Sequence, residues 1–147
     1  MVLSDDTGLA CTCSLVRGVA RRLTQYYDEA LKETGLKVTQ YGLLSTIDRM
    51  DRPSVTDLAE RLDLDRTTLT RNLAPLRQAG WVRQAAGPDR RTRSVELTET
   101  GREILALARP HWRRAEVALR QRAGGDVTSA LEDALMQTVA AVDAQQQ

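Results

Sequence analysis

The chain contains few of the residue types on which catalysis, metal binding and base stacking depend. Its 147 residues include no phenylalanine, three tyrosines, two tryptophans, two cysteines and one histidine. Recognition of single strands or RNA by stacked bases needs aromatic platforms, and a structural metal site needs about four ligands. The one histidine, His111, has no nucleophile elbow to serve as its partner. The sequence therefore predicts no enzyme, no metal or cofactor site and no RNA-binding protein.

Long hydrophobic runs are also missing. No apolar stretch approaches the roughly 20 residues that cross a bilayer, and the first residues are acidic where a signal peptide would be basic. We expect a cytoplasmic protein without a membrane partner. In a reducing compartment, two cysteines do not indicate a disulfide framework.

Two short helical patterns follow each other in the middle of the chain. Ser54 is an N-cap acceptor, Asp57 stands at the capping-box position, and apolar residues from Val55 to Leu62 keep helical spacing. The second helix starts after its cap, Asp65, and three of its leucines form one face. Its opposite face carries short hydroxyl side chains and an arginine, which are suited to base edges in a major groove.

A basic hairpin is predicted directly after these helices. Trp81–Ala85 and Ser94–Leu97 have the pattern of two strands joined by Gly87–Arg93. Between Arg66 and Arg93 the chain carries seven arginines and one acid, Asp89, so this segment has a net charge of +6 in a chain of +1. Positive charge concentrated on one lobe is typical of proteins that bind double-stranded DNA, because neutralising phosphates supplies much of the affinity.

Long amphipathic helices flank the basic segment. The first keeps helical spacing from Leu9 and ends at Gly35, and Thr39 is the expected cap of the next helix. Thr98 caps a long helix that ends at Gly124-Gly125, and a final helix runs from about Val127 through Val139. Apolar stripes without a sheet to cover them are buried most easily against a second copy of the chain. The alternative is a monomer in which these helices pack only on each other.

These patterns predict a mostly α fold with a small β-hairpin wing, in one domain over residues 1–147. Residues 39–97 form a winged helix-turn-helix lobe that binds DNA. Residues 9–35 and 98–147 form a helical dimerisation region.

At several motifs the sequence resembles the multiple antibiotic resistance regulator (MarR) family of bacterial transcription factors. Asp89-x-Arg91-x5-Leu97-Thr98-x-x-Gly101 follows the family's signature from the wing into the next helix. Leu58-Ala59 and the series from Thr67 to Gly80 resemble its helix-turn-helix. The likeness extends over nearly the whole chain, from about Leu9 to Val142.

The resemblance implies a homodimer whose recognition helices enter adjacent major grooves of operator DNA. In this interpretation base edges are contacted by Thr67, Thr68, Thr70 and Arg71, and phosphates by Arg66 and Arg93. Arg91 enters a minor groove from the wing, and Asp89 braces it. One departure is Pro75 inside the recognition helix, which removes the hydrogen bond to the carbonyl of Arg71 and predicts a kink or an early tightening there.

In the family, the terminal and second helices enclose a cleft where small phenolic or other aromatic effectors bind. The residues of this chain that the resemblance places there are Tyr26, Tyr27, Tyr41 and Trp112. The alternative for each of them is ordinary packing, since aromatic rings at helical spacing are usually core.

The two cysteines are expected on opposite faces of the first helix. Cys13 falls on the apolar stripe, which favours a small buried hydrophobe, whereas Cys11 falls on the other side. Cys13 also resembles the reactive cysteine of the family's organic-hydroperoxide-sensing branch by its distance from Tyr27. A helix start with Arg17 one turn on would lower the pKa of such a thiol. Val38 stands where that branch has a second tyrosine.

We interpret the chain as a homodimeric DNA-binding repressor that is released by a small aromatic ligand or by oxidation. The alternative is a dimeric small-molecule-binding or protein-interaction module that keeps the fold and does not read DNA. Salt-dependent binding to duplex DNA distinguishes the two, since a module without DNA has no reason to keep seven arginines on one surface.

Overall fold

A computed structural model describes residues 11–86 and 93–144. Within them the chain folds into six α-helices and a two-stranded antiparallel sheet, which confirms the predicted mostly α fold with a hairpin. No described helix is long and apolar enough to cross a membrane. The elements are α1 (Thr12–Leu31), a 3₁₀ turn (Lys32–Thr34), α2 (Val38–Met50), α3 (Val55–Arg61), α4 (Arg66–Gln78), β1 (Val82–Ala86), β2 (Arg93–Leu97), α5 (Glu99–Ala123) and α6 (Gly125–Asp143).

Side-chain caps start three of the helices where the sequence predicts them. The hydroxyl of Ser54 accepts the N–H of Asp57 at 3.0 Å, and the Asp57 carboxylate accepts the N–H of Ser54, which completes a capping box. Asp65 caps α4. The hydroxyl of Thr98 accepts the N–H of Gly101 at 3.0 Å and donates to the carbonyl of Gly80 at 2.6 Å. This last pair ties the start of α5 to the end of α4.

The predicted starts of the first two helices are wrong. α1 begins at Thr12, with Cys11 as its N-cap in an extended conformation. α2 begins at Val38, one residue before the expected cap Thr39. The N–H of Val38 donates to Asp28 of α1 at 2.8 Å, and this bond spans ten residues of sequence. A cap supplied by another helix leaves no local signal in the sequence.

Pro75 does not end the recognition helix. α4 continues through it to Gln78, and the N–H of Ala79 still donates to the carbonyl of Pro75 at 2.9 Å. Gly80 follows with φ +75°, the left-handed conformation expected of a residue that ends a helix.

The hairpin is joined to the segment that precedes α3. β1 and β2 pair in antiparallel register from Val82 opposite Leu97 to Ala86 opposite Arg93. On the other edge of β2, the N–H of Val95 donates to the carbonyl of Pro53 at 2.9 Å. Backbone pairing therefore connects the strands directly to the start of α3. Asp89 and Arg91 lie outside the described residues.

One core lies within the unit formed by residues 1–112. It contains side chains from α1 to α5, with both strands contributing, and its fully buried positions are mostly leucines. Its members include Leu31, Leu36, Leu44, Ile47, Leu58, Leu69, Leu73, Leu76, Val95, Leu97 and Leu105. The leucine face predicted for α4 is therefore confirmed, and its opposite face is left at the surface.

A second compact unit covers residues 113–147. In it, Arg120 donates to Glu116 at 2.7 Å and also bonds to Glu132 of α6. These two carboxylates raise the pKa of Arg120, the hydrogen bond to Glu116 being the larger cause. Apolar side chains remain exposed along α6, at positions 127, 131, 135, 136, 139 and 142.

Candidate nucleic-acid interface

The outward face of α4 combines hydroxyl and guanidinium groups around a shallow depression. Its volume is about 460 Å³, and its wall is formed by Arg66, Thr67, Thr70, Arg71 and Ala74. All five are exposed, whereas the leucines of the same helix are buried. Local helix geometry thus places four of the predicted DNA-contacting residues on one surface.

Thr68, which the sequence also predicts to contact base edges, is positioned differently. Its hydroxyl donates to Asp65 Oδ2 at 2.5 Å, and its N–H donates to Asp65 Oδ1 at 2.8 Å. The hydroxyl and then the N–H lower the pKa of the Asp65 carboxyl. Thr68 is half-buried in this cap, so its side chain stabilises the start of α4.

A second cavity, of about 370 Å³, lies where α3, α4 and the two strands meet; we call it the arginine cleft. Its wall is formed by Ser54, Val55, Thr56, Arg66, Thr70, Arg77, Gln84 and Arg93. Arg93 donates to Gln84 Oε1 at 3.2 Å. The Nε of Arg77 is buried and has no hydrogen-bond partner among the described residues.

Not every arginine of the basic segment is free to bind a phosphate. Arg83 donates to Glu96 Oε1 at 2.7 Å, and Arg52 approaches Glu96 Oε2 at 2.8 Å. The hydrogen bond from Arg83, followed by the charge of Arg52, lowers the pKa of the Glu96 carboxyl. No local sequence signal indicates this cluster, although residues 83 and 96 are opposite each other once the hairpin register is known.

A large cavity, of about 890 Å³, lies between α2 and α4. Tyr41 and Trp112 belong to its wall and stack with ring centroids 5.5 Å apart and planes at 22°. Arg71 and Asn72 of α4 line it from the other side. Arg71 therefore borders both this cavity and the depression on the outward face of α4.

The other two predicted effector residues lie elsewhere. Tyr26 and Tyr27 form an edge-to-face pair, with centroids 5.3 Å apart, and neither lines the large cavity. Both are half-buried in α1. Of the four aromatic residues, the structure brings Tyr41 and Trp112 together at a cavity and leaves this pair apart.

The expectation that Cys13 is buried is wrong for this chain, because both cysteines are exposed. Every residue from Thr12 to Arg17, in the first turns of α1, is exposed. Cys11 is not on the helix but at its N-cap. There the N–H of Ser14, followed by its hydroxyl and the N–H of Cys13, lowers the pKa of the Cys11 thiol.

Comparison with known proteins gives consistent matches. Residues 34–92 match the sequence profile of the MarR family. The HTH-type transcriptional regulator SarZ of Staphylococcus epidermidis is 33% identical over 93 residues, and the chain spans 63% of the length of that relative.

Two solved structures extend the likeness. The transcriptional regulator MosR of M. tuberculosis, crystallised in complex with DNA, is 38% identical over 90% of this chain and 98% of its own, with a TM-score of 0.77. The PcaV transcriptional regulator of Streptomyces coelicolor is 18% identical and shares the fold over 97% of this chain and 99% of its own, with a TM-score of 0.80.

Proposed function

The chain belongs to the MarR family of transcriptional regulators, and from that premise we propose that it binds operator DNA as a homodimer and represses transcription there. The observation that carries the proposal is the outward face of α4, where Arg66, Thr67, Thr70 and Arg71 surround one depression. Side chains of this kind on an exposed helix match the donor and acceptor pattern of a major groove.

The residues divide by the part of DNA that they contact. Arg71 donates to purine N7 and O6 atoms, and Thr67 and Thr70 contact neighbouring base edges. Thr70 donates its hydrogen to the carbonyl of Arg66 at 2.7 Å, so its oxygen acts as an acceptor. Arg66 and Arg93 bind phosphates. Thr68 supports the helix start through Asp65.

The wing completes the contact in this proposal. Arg91 enters the adjacent minor groove, and Asp89 braces the segment that carries it. Both assignments come from the sequence signature that ends at Gly101. Arg83 holds the base of the hairpin through Glu96 and contributes little charge to DNA.

A second copy of the chain covers the apolar faces that remain exposed. α1 presents Leu15, Val16 and Val19, and α6 presents a longer apolar row. Contiguous exposed apolar patches mark surfaces that bind a partner. Homodimers are the commonest symmetric oligomers. We assign residues 9–35 and 98–147 to this dimerisation.

The large cavity between α2 and α4 receives the effector. A small aromatic ligand stacks against the Tyr41 and Trp112 pair and approaches Arg71 on the opposite wall. An effector that prefers a dimer with displaced recognition helices weakens DNA binding by the ratio of its affinities for the two states.

Oxidation is a second route to release, and the observation that favours it is Cys11. This thiol is exposed at the N-cap of α1, and its pKa is lowered by Ser14. Exposed thiols of lowered pKa react first with peroxides. The chemistry begins at Cys11, with Cys13 as the neighbouring thiol.

The test is equilibrium binding to duplexes selected from a random library, followed by fluorescence anisotropy over a series of salt concentrations. If each subunit neutralises on the order of three phosphates, the logarithm of affinity falls against the logarithm of salt with a slope near −5. Selected sites should contain two half-sites about 10 base pairs apart. A slope near zero, or a chain that sediments as a monomer at micromolar concentration, contradicts the proposal.

A further inference from the structure

The arginine cleft is the strongest unassigned feature of the described residues. Three guanidinium groups line it: Arg66 and Arg77 come from α4, and Arg93 comes from β2. No acidic side chain belongs to the wall that the described residues form. Two described acids neighbour wall residues in sequence: Asp57 accepts from the N–H and the hydroxyl of Ser54, and Asp65 accepts from the N–H and the hydroxyl of Thr68.

Arg77 makes the cleft more than a patch of surface charge. Its Nε is buried, yet it donates to none of the described residues. A buried donor on a cation is costly when it is left unpaired, and three like charges around one cavity repel each other. The arrangement is stabilised when an anion enters between the three guanidinium groups and offsets their charge.

The cleft is continuous with the outward face of α4. Arg66 and Thr70 belong both to its wall and to the depression that Thr67 and Arg71 border. An anion in the cleft therefore lies beside bases that these two residues contact. The elements that form the cleft are joined to each other, because β2 pairs with the segment that precedes α3 through Val95 and Pro53.

We propose that the arginine cleft is a phosphate-binding site which receives one DNA backbone phosphate per subunit and thereby sets the register of α4 in the groove. This assignment rests on the DNA binding proposed above and adds Arg77 to the residues responsible for it. Phosphate contacts fix register and orientation without reading sequence, and an arginine fork suits a phosphate better than a lysine does.

The first experiment compares Arg77→Gln, Arg77→Lys and the control Arg61→Gln, which removes one exposed charge at the end of α3, outside the cleft. Anisotropy is measured over a salt series on a selected duplex and on a scrambled one. We expect Arg77→Gln to weaken binding to the selected and the scrambled duplex by a similar factor, of about tenfold or more. Two clefts per dimer should reduce the salt slope by about 2. Arg77→Lys should restore the slope but not the affinity, because a lysine carries the charge without the planar fork of guanidinium donors.

Thermal unfolding accompanies these measurements. Arg77 Nε has no partner to lose, so Arg77→Gln should unfold at the temperature of the parent protein or above it. If that variant does not fold, the same affinities and salt slopes are measured for Arg66→Gln and Arg93→Gln. The side chains of Arg66 and Arg93 are exposed.

Single methylphosphonate substitutions in the selected duplex identify the phosphate. Substitution at one phosphate in each half-site should weaken DNA binding by the parent protein and should have no further effect on DNA binding by Arg77→Gln. DNA binding by Arg77→Gln that matches DNA binding by Arg61→Gln overturns the inference and leaves the proposed function intact.

Failure of the parent protein to bind any duplex contradicts the proposed function instead. The arginine Nε–H resonances are then followed by NMR during titration with inorganic phosphate. A shift of Arg77 that Arg77→Gln abolishes supports a phosphate site supplied from solution. No shift overturns the inference as well.

Discussion

Arg83 and Glu96 face each other across the two strands of the hairpin, with the Arg83 Nε 2.7 Å from Glu96 Oε1. Arg52 takes the second carboxylate oxygen from the loop after α2. Arg52 and its neighbour Asp51 have φ values of 63° and 47°, which non-glycine residues adopt rarely. Glu96 therefore holds the base of the wing against a loop in an unfavourable backbone conformation.

Replacing Glu96 by Gln should lower the melting temperature at neutral pH. Its folded pKa lies below the ordinary value of 4.5, so its contribution to stability is complete above that value. The contribution disappears as pH falls through the lower folded pKa. We therefore expect the difference between parent and variant to shrink as thermal unfolding is repeated below pH 4. Glu99→Gln, whose ion pair with Arg102 is exposed, should change little at any pH. A difference that grows toward acid pH would contradict this assignment.

Gly101→Ala should destabilise the fold severely. A Cβ at this position would lie 1.9 Å from the backbone oxygen of Trp81, which already accepts the N–H of Thr98. Backbone cannot yield as a side chain tip can, so the cost should reach about 3 kcal/mol or more. The matched control is Gly42→Ala in the middle of α2, where a Cβ would meet nothing within 4 Å. That variant should be more stable by about 0.5–1 kcal/mol. Denaturant unfolding measures both, and similar values for the two would refute the argument.

Arg71→Ala should relax sequence preference. Loss of a bidentate contact to a base costs roughly 1–3 kcal/mol on the selected duplex, and scrambled DNA should be affected less. Arg61→Ala, an exposed arginine at the end of α3, is the control for charge. Equal losses on selected and scrambled duplexes would place Arg71 on a phosphate instead.

Arg91→Ala tests the wing. An arginine in a minor groove gains most where A·T-rich sequence narrows that groove. The variant should therefore lose affinity mainly for duplexes with A·T-rich flanks, and G·C-rich flanks should reduce the effect. Anisotropy with flank-substituted duplexes measures it, and flank-independent loss would exclude minor-groove entry.

Organic hydroperoxide should weaken DNA binding through Cys11. Its thiolate attacks the peroxide oxygen, which forms a sulfenic acid and releases an alcohol. Cys11→Ser should keep its DNA affinity after treatment, while Cys13→Ser should still form the sulfenic acid, seen by mass spectrometry. The reaction should slow as pH falls through the lowered pKa of Cys11. Unchanged binding by the parent protein after confirmed oxidation would rule out a sensing role.

Local signals made most of the fold predictable. Ser54 with Asp57, Asp65 and Thr98 are short-range caps, and each is where the sequence places it. The start of α2 was not predictable, because it depends on Asp28 ten residues away. Contacts between elements decide such details.

The candidate site follows the same rule. Helical spacing alone identifies Arg66, Thr67, Thr70 and Arg71 as outward residues of α4. It could not show that Arg77 turns into a cavity between three elements, or that Cys13 stays exposed. Both depend on which neighbours the tertiary fold supplies.

Arg71 stands at once in the wall of the cavity proposed for the effector and on the face of α4 proposed for DNA. A single guanidinium cannot serve a bound effector and a base pair in the same geometry, so the two partners compete for it. Such competition is reciprocal, because each partner lowers the affinity for the other by the same factor. Protein molecules that are bound to operator DNA are consequently less sensitive to the effector than free protein molecules. The dose of effector that relieves repression is therefore set by the strength of the operator as well as by the cavity.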